Sequence, residues 1–256
     1  MTTSQLEKGQ AFRALHEGEP FVIPNPWDAG SAQALAKVGF KALASTSGGF
    51  AQTLGRSDGE VSLDEVVEHA RMLDGASDLP VSMDLENGYG PEPADAAAAI
   101  TRVAGAGAVG GSIEDWDPSG FIYEVDLAVE RVAAAVEAAR ALDFPFVLTA
   151  RAENHFRKTG DLDDTIRRLQ AYEAAGADVL FAPGIRTEED IRAICGAVSK
   201  PVNVLAFPDL TLDRIAAAGA QRVSVGSWLG HVATSAMVAA AEAMRDSGDF
   251  SALTRR

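Results

Sequence analysis

Short apolar runs alternate with Ala-rich amphipathic stretches along this chain. The runs predict eight strands, near 21–24, 42–46, 81–84, 110–114, 146–150, 179–182, 202–205 and 222–225. Helical patterns fall between them at about 28–38, 62–75, 94–106, 124–142, 162–175, 187–198 and 210–218, and a last one runs from about 228 to 246. Four junctions share one grammar: an Ala-rich helical stretch, a glycine, then a short apolar strand. The glycines are Gly39, Gly107, Gly176 and Gly219. Each sits where a helix C-terminus needs a residue tolerant of positive φ. Repeated αβ joints of one kind imply parallel strands with crossover helices. Eight βα units predict a (β/α)₈ TIM barrel, one domain over residues 1–256, since no composition shift marks a second domain. A doubly wound open sheet is the alternative, but the chain lacks an obvious phosphate-binding turn. The stretch from Thr46 to Val61 holds Gly48, Gly49, Gly55 and Gly59 and is long for a plain βα connection, so it is expected to be a mobile lid.

A barrel places its chemistry at the C-terminal ends of its strands. Those ends carry Asn25 and Trp27, Ser45 to Ser47, Asp84 and Glu86, Glu114, then Arg151, Glu153 and His155, with Pro183, Asn203 and Ser227 following. Asp84 and Glu86 lie two apart at the end of an apolar run, which on a strand points them to one side. With Glu114 they gather hard oxygen ligands that would repel one another without a cation, which suits Mg²⁺ with Mn²⁺ as an alternative. Solvated helix caps are the plainer reading of such acids, and Glu92 and Asp95 fit it. Arg151, a planar fork at a strand end, suits a substrate carboxylate or phosphoryl group; a salt bridge to Glu153 or Glu114 is the plainer role. His155, in the loop beyond, is a candidate acid or base.

Net charge of -15 disfavours nucleic acid and anionic membranes as partners. One cysteine excludes an internal disulfide, and with no signal-like or membrane-length apolar run a soluble cytoplasmic protein is expected. Cys195 falls in an amphipathic pattern and reads as core. Gly105-Ala-Gly107-Ala-Val-Gly110 matches G-x-G-x-x-G by letter, but it closes a helix and opens a strand, the reverse of a dinucleotide fingerprint. His16 and His69 lack metal-ligand spacing, and His231 opens the last helix without an assigned role.

Asp84-Leu-Glu-Asn-Gly-Tyr-Gly90, Ser112-Ile-Glu-Asp115 and Thr149-Ala-Arg-Ala-Glu153 together resemble the isocitrate lyase/phosphoenolpyruvate mutase superfamily, in its phosphonomutase-like branch. The resemblance runs from Pro24-Asn-Pro-Trp-Asp-Ala-Gly-Ser31 to Val223-Ser-Val-Gly226. It implies a (β/α)₈ barrel whose final helix, here from Trp228 onward, exchanges between subunits in a homotetramer, a dimer of helix-swapped dimers. It implies Mg²⁺ and a small carboxylate or phosphonate substrate, a 2-oxo or 2-hydroxy acid reacting through a pyruvate-enolate-like species. By resemblance Asp84 is the direct metal ligand, with Glu86 and Glu114 acting through water. Asp58 matches the gating-loop acid, and the turn Thr46-Ser47-Gly48-Gly49 offers a hydroxyl and N–H groups to a carboxylate or phosphonate. Thr46, Asp58, Glu114 and Arg151 make the expected catalytic set; Trp27 and Asn203 join the turn and Arg151 in the substrate-binding set.

The resemblance has gaps. Glu86 stands where the family often has Asp. The lyases carry a Lys-Lys-Cys-Gly-His loop, and the mutases Lys and Asn, where this chain reads Trp116-Asp-Pro-Ser-Gly-Phe-Ile-Tyr-Glu124. That removes the lyase cysteine and leaves Tyr89, Tyr123 and His155 as candidate proton donors. Competing readings are a non-catalytic metabolite binder on the same scaffold and a scaffold without any site.

Overall fold

The computed structural model describes residues 3–253; residues 1–2 and 254–256, the extremes of the expected domain, lie outside the described residues. In chain order the strands are β1 (Phe21–Ile23), β2 (Leu43–Ala44), β3 (Val81–Asp84), β4 (Gly110–Glu114), β5 (Trp116–Asp117), β6 (Phe121–Ile122), β7 (Val147–Arg151), β8 (Val179–Phe181), β9 (Val202–Leu205) and β10 (Arg222–Ser224). The helices are α1 (Gln5–Leu15), α2 (Ala29–Val38), α3 (Ser47–Thr53), α4 (Leu63–Ala76), α5 (Pro93–Ala104), α6 (Val125–Arg140), α7 (Asn154–Arg157), α8 (Leu162–Ala174), α9 (Glu188–Ala197), α10 (Leu212–Ala217) and α11 (Trp228–Ser247). Eight parallel strands form one sheet in the order β1-β10-β9-β8-β7-β4-β3-β2, and helices alternate with them as in a TIM barrel.

The ring closes between β1 and β2 by a single main-chain bond, Ala44 N to Pro24 O at 3.0 Å, and by one side chain. Asn25 Nδ2 donates to Ser45 O (2.9 Å), while its Oδ1 accepts from Val225 N (2.8 Å) and Gly226 N (2.9 Å). Pro24 cannot donate to a ladder, so an amide side chain supplies the pairing that the backbone lacks. The four repeated joints behave alike: Gly39, Gly107, Gly176 and Gly219 adopt φ of 104°, 106°, 101° and 106°. A side chain in that region is strained, which is why these positions read as glycine. The G-x-G-x-x-G string spans the end of α5 and the start of β4.

Some elements differ from the sequence reading. Residues 5–15, to which the sequence pattern assigns no element, form α1, because Ser4 and Glu7 make a capping box. Its Phe12, fully buried, plugs the N-terminal end of the barrel against Ile23, Val109, Val147 and Val179. The expected lid is half helix: Thr46 caps α3, and only residues 54–61 remain irregular. The segment 116–122 folds back as an antiparallel hairpin, Trp116 opposite Ile122. Cys195 is partly buried against the cluster of Ile191 and Ile194.

His69 on α4 is 2% exposed and stacks on Phe50, centroids 3.8 Å apart. Its Nε2 has no partner. Burial pulls its pKa down to about 4, against weaker support from the Trp27 carbonyl and Asp28. The folded value is below the unfolded one of about 6.5, so the unfolded chain takes up this proton first as pH falls. Stability should therefore drop from pH 6.5 towards 4, by about 2 kcal/mol from this residue at pH 4.5. Urea unfolding at pH 7 and 4.5 checks this: His69→Phe should flatten the pH slope, and an unchanged slope would refute it.

Candidate active site

The C-terminal mouth of the barrel holds a cavity of about 330 Å³. A second lobe of about 300 Å³ adjoins it and shares Ser47, Asp58, Arg151 and Arg157. A larger hollow, about 600 Å³, opens at the opposite end beside α1 and contains none of the strand-end acids.

Arg151 organises the mouth. Its Nη1 lies 3.0 Å from Glu114 Oε2 and 3.7 Å from Asp84 Oδ1, and its Nε is 2.5 Å from Glu153 Oε1. Glu153 also takes Arg157 Nε at 2.9 Å. Burial pulls the Arg151 pKa down, but Glu114, Glu153 and Asp84 outweigh it and hold the group charged. Register explains the meeting: Glu114 pairs with Arg151 across β4 and β7, and Asp84 with Ser112 across β3 and β4. Alternation separates Glu114 from Asp115, which turns outward to Arg168 (3.1 Å) and Tyr172 (2.5 Å).

Glu86 reaches the mouth by a different route from the expected one. The strand ends at Asp84, and Glu86 adopts φ 47°, a left-handed conformation uncommon for a side-chain-bearing residue. The bond Glu114 N to Glu86 O, 2.8 Å, holds it there. Arg131 fastens the following loop through the carbonyls of Asn87 and Glu92. Burial, then Asp84 and Asp58, push Glu86 up to about 7. Glu114 is likewise raised, by burial first and despite Arg151, because Glu153, Asp84 and Glu86 stand near. Asp58 is raised by burial and by Asp84, and its carboxyl carbon lies 3.4 Å from where a Cβ on Gly48 would be.

The expected turn at Thr46 is the first turn of α3. Thr46 Oγ1 accepts from Gly49 N (3.3 Å) and bonds Ser227 Oγ (2.9 Å), and Ser47 N donates to Asp84 Oδ2 at 3.2 Å. A Cβ on Gly49 would sit 2.5 Å from Thr46 Cγ2, so only glycine fits. Asp84, Glu86, Glu114, Asp58 and Arg151 thus surround one space with Thr46 and Ser47. Among the described residues, no three His, Cys, Asp or Glu side chains yet stand as a metal cluster; Arg151 lies between Asp84 and Glu114. The groups that could hold a cation there are Asp84, Glu86 and Glu114, all hard oxygen donors.

Of the expected substrate residues, Trp27 sits elsewhere and Asn203 lines the deep end of the main cavity. Trp27 lines a separate groove between α3 and α11, with Gly49 and Gly230. Asn203 lies deeper in the barrel, 1% exposed, bonded to Ser224 Oγ (2.9 Å) and Arg222 Nε (2.8 Å). Among the proton-donor candidates, Tyr89 donates to Glu86 Oε1 at 3.3 Å. Tyr123 is committed to Asp117 (2.7 Å), and His155 Nδ1 is buried without a partner. Arg157, Arg186, His231 and Arg222 also line the main cavity, and the sequence reading gave none of them a role there. A signal existed for Arg222: Arg222 and Ser224 alternate with Val223, the period of an inward polar face.

The phosphoenolpyruvate phosphomutase family model matches residues 12–245. The chain is 32% identical to 2-methylisocitrate lyase of Escherichia coli K12 over 226 residues, covering 82% of this chain and 75% of that protein. It is 31% identical to oxaloacetate decarboxylase of Rhodopseudomonas palustris BisB5 over 256 residues, covering 92% and 84%. A crystal structure of a candidate lyase/mutase from Burkholderia cenocepacia J2315 superposes with a TM-score of 0.95 at 50% identity, over 98% of this chain and 93% of that one. With the barrel, the strand-end acids and these relatives in agreement, the chain belongs to the phosphoenolpyruvate mutase/isocitrate lyase superfamily.

Proposed function

We propose that this barrel domain is a Mg²⁺-dependent enzyme that breaks a bond next to the pyruvate unit of a small 2-oxo or 2-hydroxy carboxylic acid, as a C–C lyase or decarboxylase. The observation that carries this is the meeting of Asp84, Glu86, Glu114 and Arg151 with the Thr46–Ser47 donors in one cavity. Acids in excess of their arginine partners, raised by burial and mutual repulsion, fit a hard divalent cation better than solvent. Asp84, with Glu86 and Glu114 acting directly or through water, would hold it. When bound, the cation supplies fixed positive charge to an oxygen on which an enolate charge develops.

The protein's own groups divide the remaining work. Thr46 Oγ1 and the Gly48 N–H receive the substrate carboxylate, while Ser47 N stays on Asp84. Arg151 holds the reacting end of the substrate beside the acids and carries its charge without proton exchange. Asp58, above Gly48, covers the mouth with residues 54–61 acting as the lid. Tyr89, the one candidate donor whose hydroxyl touches the acid cluster, delivers the proton to the carbon left by bond cleavage.

The second copy of the chain has a place as well. The 20-residue α11 buries only Gly230, while Trp228, Val232, Met237 and Val238 are 44–64% exposed. A soluble monomer seldom leaves such a helix uncovered, and a homo-oligomer exchanging α11 would cover it.

Three outcomes are expected. With Mg²⁺ present, oxalate, a planar enolate mimic, should raise the melting temperature, and a panel of 2-oxo and 2-hydroxy acids should contain one that releases pyruvate; Asp84→Ala should stay folded and lose both responses. A magnesium-linked shift that survives in Asp84→Ala would sink the metal assignment. Tyr89→Phe should lower kcat by about 100-fold or more with little change in KM, and an unaltered kcat would remove Tyr89 from the mechanism. In light scattering, Val232→Glu/Met237→Glu should dissociate the oligomer, whereas a wild-type chain that is already monomeric would dispose of the exchanged helix.

A further inference from the structure

The main cavity does not end at the mouth. It continues down the barrel, where Ile23, Ser82, Asn203 and Arg222 line it. TIM-barrel interiors are usually filled by branched aliphatic side chains. Here Ser82, Ser112, Asn203 and Ser224 line the cavity, Thr149 stands beside them, and beneath the mouth lies a guanidinium.

Arg222 is 5% exposed. It makes three contacts, all to neutral groups: Nε to Asn203 Oδ1 (2.8 Å), Nη2 to Thr149 Oγ1 (2.9 Å) and Nη1 to His16 Nε2 (3.3 Å). His16 Nδ1 contacts the Phe12 carbonyl at 2.8 Å, so it carries the ring proton and leaves Nε2 as acceptor. Burial, then Arg222 itself, pulls His16 down to about 3, which keeps it neutral. Among the described residues no carboxylate pairs with Arg222, in contrast to Arg151, which has three. Burial alone draws Arg222 down to about 9, still cationic at neutral pH. A guanidinium has five N–H donors, so three bonds leave two unused. A buried charge without a counter-ion is costly, and this one borders open volume.

Depth can be read from the register. Thr149, which Arg222 touches, lies two residues below Arg151 on the same face of β7. That is about 6.5 Å along a strand, the reach of a short carbon chain. We propose that Arg222 forms an anion subsite in the barrel interior, which takes the distal carboxylate of a four- or five-carbon dicarboxylic acid whose other end is held at the mouth. Asn203 and Thr149 position the guanidinium, and Ser82 and Ser224 line the path to it. The inference deepens the proposed function and rests on the mouth being the reacting end. It makes Arg222 the residue that selects dicarboxylic over monocarboxylic substrates.

Isothermal titration with Mg²⁺ and three probes tests it: oxalate, which fills the mouth alone, malate, and 2-hydroxybutyrate, which matches malate but lacks the distal carboxylate. The wild type should bind malate about tenfold or more tighter than 2-hydroxybutyrate, as a charged hydrogen bond predicts. Arg222→Gln should lose that preference and keep its oxalate affinity. Asn203→Asp, which sets a fixed carboxylate beside Nε in the same shape, should lose the preference too, and it guards against misfolding of the first variant. Equal affinity of the wild type for malate and 2-hydroxybutyrate overturns the subsite, whatever oxalate does. So does a preference that persists in a folded Arg222→Gln, which would leave Arg222 a purely structural role. Absence of oxalate binding in the wild type counts instead against the reading of the mouth.

Discussion

The mouth of this barrel is organised around an imbalance of charge. Asp58, Asp84, Glu86, Glu114 and Glu153 crowd a space in which Arg151 and Arg157 are the nearby cations. Opposite charges in a partly desolvated site bind strongly only when every member is paired, and an unpaired carboxylate there is costly. The fold must therefore deliver Arg151 to the centre of the acids. It does so by pairing β4 with β7 in a register that sets Glu114 beside Arg151. A one-residue slip of either strand would turn one of them out of the barrel and leave the other buried alone.

Much of the remaining architecture serves that register. Asp115 faces outward and ties β4 to α8 through Arg168 and Tyr172, so the strand cannot rotate. Its Oδ1 also accepts from Glu153 N at 2.7 Å, which fixes the backbone just beyond Arg151. Arg131 grips the loop that follows Glu86. At the other end, α1 closes the floor with Phe12 and brings His16 to Arg222. The two guanidiniums that line the cavity live in opposite surroundings: Arg151 among acids, Arg222 among an amide, a hydroxyl and an imidazole. That contrast gives the cavity a polarity from mouth to floor.

The sequence made the barrel and its acids legible because both rest on local periodicity. The αβ glycines announce their φ, and Asp84, Glu114 and Arg151 each end an apolar run. What was hidden depends on long-range contact or on short caps. The helix α1 contains no clear apolar stripe, and its capping box was the only local cue. Glu86 arrives through a left-handed turn, not by strand alternation, and no periodicity reports such a turn. Trp27 follows a strand end, yet its ring faces α11; nothing in its neighbours reports on an element two hundred residues away. Arg222 begins its strand instead of ending it, and its importance follows only from what the barrel fails to place opposite it.

The seam between β1 and β2 has a mechanical meaning. Elsewhere neighbouring strands are laced by several main-chain bonds, but here one backbone bond and the amide of Asn25 hold the wall together. A side-chain clasp can swing on its χ angles while a ladder cannot. The wall should breathe at this line first, as the most compliant arc of an otherwise stiff hoop. Ser45 and Gly226, the residues the clasp grips, adjoin Thr46 and Ser227, so compliance at the seam is passed directly to the hydroxyls that face the cavity. The thinnest joint of the barrel thus lies beside the cavity hydroxyls, while the paired charges sit on strands joined by a full ladder.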